Sequence, residues 1–125
     1  MSEATADGPV VALDVGGSAM KGAVIDQDGR VAAFQRWPTP RSEGPIAVVD
    51  TVTRAVDELL RCAQGAVAVG LVVPGLVDDL AGIALYSENI GWRDVPFREL
   101  VAERSGLPVG FGHDVRAGEI GRAHV

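Results

Sequence analysis

The chain has 125 residues, with 17 acidic against 11 basic side chains and a net charge of −6. That balance argues against a nucleic-acid surface, which needs a basic face, and the longest apolar run, Ala66 to Val73, falls far short of the roughly 20 residues that span a bilayer. The length fits one domain with an ordinary core, and the single Cys62 excludes an internal disulfide and a cysteine-built zinc site, so a reducing cytoplasm is the expected compartment.

Residues 1–8 carry Glu3 and Asp7 and no basic segment. They read as a disordered lead-in rather than a secretory signal. Val10–Val15 and Ala19–Ile25 read as the first two strands. Between them, Asp14-Val15-Gly16-Gly17-Ser18-Ala19-Met20-Lys21 makes a tight turn. Adjacent glycines tolerate positive φ and let backbone N–H groups point into one concavity, a nest suited to phosphate. Ser18 adds a hydroxyl donor and Lys21 a compact positive charge. Asp14, at the end of the first strand, can hold a divalent cation directly or through water. A plain hairpin with an acid and a base at its ends is the simpler reading, but so many distinct features at one turn favour a phosphate site.

Asp26-Gln27-Asp28-Gly29 is a turn, and Val31–Trp37 a third strand, giving an antiparallel meander that Pro38-Thr39-Pro40 stops. Pro45–Ala63 reads as a helix, with Ile46, Val49, Val52, Val56, Leu59, Leu60 and Ala63 inward. Val67–Val73 is a strand apolar on both faces, and a helix before it fits a parallel crossover. Pro74-Gly75 suits a type II turn. Ile83–Tyr86 is a short strand or an extended loop. Pro96–Ser105 is a short helix, Pro108–Gly112 a strand, and from Val115 a further helix begins that Val125 cuts off. Arg93, Arg98 and Arg104 read as a solvated face. The order is β-β-β-α-β-α-β-α, an antiparallel ribbon followed by parallel strands. This is an α/β, ribonuclease-H-like domain with a mixed sheet, over residues 9–125.

The glycine turn resembles the first phosphate motif of the sugar-kinase/actin/heat-shock-70 superfamily. It is most similar to the ROK family of bacterial sugar kinases and repressors, whose pattern is Asp-x-Gly-Gly-Thr-x-x-Lys. Ser18 stands for the usual Thr and keeps the hydroxyl. Three further segments resemble the family in order: Gly70-Leu71-Val72-Val73-Pro74-Gly75-Leu76-Val77-Asp78, then Asn89-Ile90-Gly91-Trp92, then His113-Asp114.

The resemblance implies the actin-like ATPase fold, ATP and Mg²⁺ as cofactors, and a hexose as substrate. It implies that Gly16, Gly17, Ser18 and Lys21 line the phosphate side and that Asp14 positions Mg²⁺ through water. Gly75 and Asn89 would hold the sugar. Asp114 would be the catalytic base, besides contacting the sugar; a helix N-cap is compatible with that role. His113 replaces the family's Asn, so a sugar contact and a merely packed or exposed histidine both stay open. Trp92 reads as packing. The implied parent is a glucokinase-like enzyme of which this chain is the N-terminal lobe. The second lobe, its structural Zn²⁺ site and most homodimer contacts would lie beyond Val125, and the chain alone would be inactive. A sugar-sensing repressor of the same family is the alternative; only nine residues precede Val10, too few for its helix-turn-helix. A non-catalytic sugar- or phosphate-binding fragment is a third reading.

Overall fold

A computed structural model describes residues 8–113. The elements are β1 (Val10–Val15), β2 (Ala19–Ile25), β3 (Val31–Pro38), a 3-10 turn (Arg41–Glu43) and α1 (Pro45–Cys62). There follow β4 (Ala68–Val73), β5 (Leu76–Asp78), β6 (Ile83–Tyr86), β7 (Arg93–Val95), α2 (Phe97–Ser105) and β8 (Val109–His113). The rest of the expected lead-in, Asp114 and the helix expected from Val115 lie outside the described residues.

Strands β1, β2, β3, β4 and β8 form one mixed sheet in the order β3-β2-β1-β4-β8. The β1–β2 and β2–β3 pairs are antiparallel, and β1–β4 and β4–β8 are parallel. The carboxyl ends of β1, β4 and β8 therefore share one end of the sheet. The meander forms because the Asp26 carboxylate accepts the Asp28 and Arg30 amides, and Gly29 takes the positive φ that closes the turn. A second, antiparallel sheet joins β5, β6 and β7. Two of its strands, only three residues long, carry too little pattern to be read from sequence.

The core lies between one face of the main sheet and the two helices. Val11, Leu13, Val15, Met20, Val24, Val69, Leu71 and Val73 supply the sheet side. From α1 come Val48, Thr51, Val52, Ala55, Val56 and Leu59. This corrects the expected stripe, because Ile46 is 78% exposed and Val49 only partly buried. The helix carries two interleaved apolar stripes, and the sheet takes the one with small residues at 48, 51 and 55. Thr51 can be buried because its hydroxyl donates to the Ala47 carbonyl one turn back. Gly22 also permits this docking, since a Cβ there would stand 2.5 Å from Leu59 Cδ1.

From α2, Phe97 and Val101 are buried. Trp92 meets Phe97 edge to face at 5.0 Å, and Phe97 lies 6.1 Å from Phe111. This aromatic row ties the segment before β7 to α2 and β8. The expected solvated arginines each have a partner. Arg93 stacks on the Tyr86 ring, Arg98 donates to the Leu80 and Asp79 carbonyls, and Arg104 pairs with Asp57 of α1.

Candidate functional site at the carboxyl end of the sheet

Side chains of directly paired residues leave a sheet on the same face. Asp14 pairs with Lys21 across β1–β2, Lys21 with Arg36 across β2–β3, Asp14 with Val72 across β1–β4, and Val72 with Gly112 across β4–β8. Arg36, Lys21, Asp14, Val72 and Gly112 thus form one row on the face opposite α1. The next row on that face is Phe34, Ala23, Ala12, Gly70 and Gly110. Apart from Arg36, these rows line a groove of about 540 Å³. Its floor is glycine and alanine, and its end toward the glycine turn carries the charges.

The turn from Val15 to Ala19 closes that end. Gly16 donates its N–H to the Ala19 carbonyl at 3.0 Å. A Cβ on Gly16 would lie 2.6 Å from that carbonyl oxygen, whereas one on Gly17 would meet nothing nearer than Arg41 Nη1 at 4.0 Å. Neither glycine is among those with positive φ. The expected backbone freedom is therefore not what this turn uses. Gly16 serves close approach of the chain to itself, and Gly17 leaves open space above the turn. Ser18 is exposed.

Two residues at this turn escaped the sequence reading. Thr39 is buried, donates its hydroxyl to the Gly16 carbonyl at 2.7 Å, and donates its N–H to the Ser18 carbonyl at 3.0 Å. Arg41 brings a guanidinium beside Gly17. The only sequence signal was Thr39-Pro40-Arg41 directly after a strand.

Gly75 follows β4 with φ 90°, and a Cβ there would stand 2.2 Å from the Tyr86 carbonyl oxygen. Glycine is thus required where the chain leaves the sheet. Asn89 is exposed in the turn from Ser87 to Gly91, closed by Gly91 N–H to Ser87 O at 2.7 Å. The Ser87 hydroxyl accepts the Ile90 N–H. Trp92 is buried, as expected for packing. His113 ends β8 and pairs in register with Val73. Asp114 comes next in the chain, outside the described residues. The structure thus gathers Asp14, Gly16, Gly17, Ser18 and Lys21 at one turn, with Gly75 at the carboxyl end of the neighbouring strand.

The family model described as "ROK family" matches residues 10–125. The chain is 34% identical over 110 residues to a glucokinase of Streptomyces coelicolor, covering 88% of this chain and 34% of that protein. It is 25% identical over 114 residues to the xylose repressor of Bacillus subtilis, covering 89% of this chain and 29% of that protein. Among solved structures, it is similar to a ROK family glucokinase from Streptomyces griseus in complex with glucose and AMPPNP. The TM-score is 0.75 at 32% identity, covering 86% of this chain and 33% of that one. The chain spans about a third of the length of these relatives. Fold, motif order and these likenesses agree, and the chain belongs to the ROK family, with the mixed α/β architecture of its actin-like sugar kinases.

Proposed function

We propose that this chain is the N-terminal lobe of a glucokinase-like sugar kinase that moves the γ-phosphoryl group of ATP to a hexose hydroxyl. One observation carries the reading. Asp14 and Lys21 leave the same sheet face beside the glycine turn, in the row that ends at Gly112, two residues before Asp114. The likeness to two glucokinases supports it.

The donor set fits Mg-ATP. Among the described residues no three His, Cys, Asp or Glu side chains gather to cage a metal. A single exposed carboxylate at Asp14 suits a cation that takes most of its oxygens from phosphate and water, as Mg²⁺ does. When bound, Mg-ATP supplies the transferable phosphoryl group. The Gly16–Ser18 turn then offers backbone and hydroxyl donors to phosphate oxygens, and Lys21 offsets their charge. Arg41 stands close enough to assist. Gly75 and Asn89 hold sugar hydroxyls. The Asp114 carboxylate accepts the proton of the attacking hydroxyl, whose oxygen forms the new bond to phosphorus as the bond to ADP breaks. Positioning and charge stabilisation do most of the work.

A coupled assay on the intact protein tests this. Hexose-dependent ADP formation is expected, and Asp114→Asn should lower turnover by roughly 10²–10⁴-fold, the span of general-base catalysis, with sugar affinity largely kept. Undiminished turnover in that variant removes the assignment. The likeness to a xylose repressor supports a second reading, a sugar-responsive regulator. Sugar binding with no turnover in the unmodified protein would favour it.

A further inference from the structure

Among the described residues, β3 is an outer strand of the main sheet and is bonded only to β2. An open strand edge offers unpaired N–H and C=O groups to a second strand that fits it. The outer strands of the small sheet, β5 and β7, have three residues each, whereas β3 has eight.

Three observations say what fits this edge. The first is its usable length. Ala33 pairs with Val24 and Val31 with Ile25, so Ala32 is bulged out of the ladder, and a strand bends at a bulge. At the other end Pro38 has no N–H to continue a pairing. The straight open edge is therefore residues 33–37, with Gln35 at its midpoint. The second is exposure. Phe34 is 60% exposed, and Arg36 is exposed too. Both leave the sheet on the face opposite α1. The third is charge. Arg36 stands opposite Lys21, a like charge, and has no hydrogen bond or ion pair among the described residues.

We propose that a second copy of this chain covers the edge, β3 against β3, antiparallel about a two-fold axis at Gln35. Only this centre engages all of residues 33–37 in both copies. It sets Arg36 directly opposite Phe34 of the second copy, and by symmetry does so twice. Each unpartnered guanidinium then gains an aromatic ring, a cation–π pair. A two-fold at Arg36 would oppose two arginines, and one at Phe34 would set Arg36 against the bulged Ala32. Phe34 also lines the groove, so each copy brings a cation beside the groove of the other. The contact is short, which makes the dimer a weak one. The pairing does not rest on the phosphoryl-transfer reading.

Sedimentation of the 125-residue chain over a concentration series tests it, with reversible dimerisation expected. Phe34→Arg opposes guanidinium groups at both symmetric positions and should weaken the dimer at least about tenfold, the value of two such pairs. Phe34→Arg combined with Arg36→Phe restores the pairing in reverse and should recover the dimer. Both side chains are exposed, so the variants keep the fold. The position is read separately, with a nitroxide on Gln35→Cys in a Cys62→Ser background. It should give a shorter copy-to-copy distance than a nitroxide on Leu85→Cys in the same background. A chain that stays monomeric, a dimer indifferent to Phe34→Arg, no recovery in the double variant, or a longer distance from residue 35 than from residue 85 would each overturn the proposal.

Discussion

Asp14 and Lys21 are direct partners across the β1–β2 ladder, and both are exposed. The backbone ladder thus holds a carboxylate and an ammonium about one strand spacing apart. Their placement should survive removal of either charge. Lys21→Ala in the intact protein should leave the unfolding temperature nearly unchanged. It should lower kcat/KM for the nucleotide by roughly 10²-fold, as loss of one transition-state donor does. Thermal unfolding and steady-state kinetics read the two effects separately. A large stability loss with normal kinetics would make Lys21 structural.

The glycine turn makes a sharper test, because its two glycines differ. Gly16→Ala puts a Cβ 2.6 Å from the Ala19 carbonyl oxygen, so the backbone must move and the closing hydrogen bond weakens. About 1–3 kcal/mol of stability should be lost, the range for overpacking. Gly17→Ala meets nothing nearer than 4.0 Å and should change stability by less than about 0.5 kcal/mol. Its new methyl fills the open space above the turn, so nucleotide KM should still rise. Chemical denaturation of both variants checks the contrast, and equal losses would contradict it.

The sheet and both helices were legible because each repeats a pattern over several residues. The alternation in β1 and β2, the continuous apolar run of β4 and the spacing in α1 all exceed noise. The phase of α1 was not legible. Hydropathy ranks Ile46 above Thr51, yet Thr51 is buried and Ile46 exposed, since a hydroxyl returned to Ala47 costs nothing to bury. Arg98 reads as solvated from composition, and only the fold brings the Leu80 and Asp79 carbonyls to it. At the candidate site, the glycine turn announced itself by chemistry within eight residues. Thr39 belongs to the same turn from 23 residues away, and no local spacing carries that.

Gly75 combines two constraints that Gly91 separates. Both have φ near 90° (90° and 89°). At Gly75 a Cβ would also lie 2.2 Å from the Tyr86 carbonyl oxygen, whereas at Gly91 nothing lies within 4 Å. Gly91→Ala should therefore cost only the strain of positive φ, about 1–3 kcal/mol. Gly75→Ala adds a backbone clash and should cost about 1–3 kcal/mol more. It also pushes β6 away from the end of β4, so sugar affinity should fall with stability. Paired denaturation curves decide the ranking, and sugar titration of Gly75→Ala at low temperature reads the second effect.

Thr39 links the connection before α1 to the glycine turn through one side-chain bond, Oγ1 to the Gly16 carbonyl at 2.7 Å. Thr39→Val keeps the shape and removes the donor, leaving the carbonyl short of a partner. The cost should be about 1–2 kcal/mol, while the backbone bond from Thr39 N–H to Ser18 holds the segment in place. The turn then loses its fixed distance from Arg41. Nucleotide KM should rise severalfold while sugar KM stays near its original value, because the sugar contacts proposed at Gly75 and Asn89 lie on other segments. Thr39→Ser restores the hydroxyl and should recover nucleotide KM, although it lacks the methyl. A nucleotide KM that fails to recover in the serine variant would assign Thr39 to packing and leave the turn's rigidity to its backbone alone.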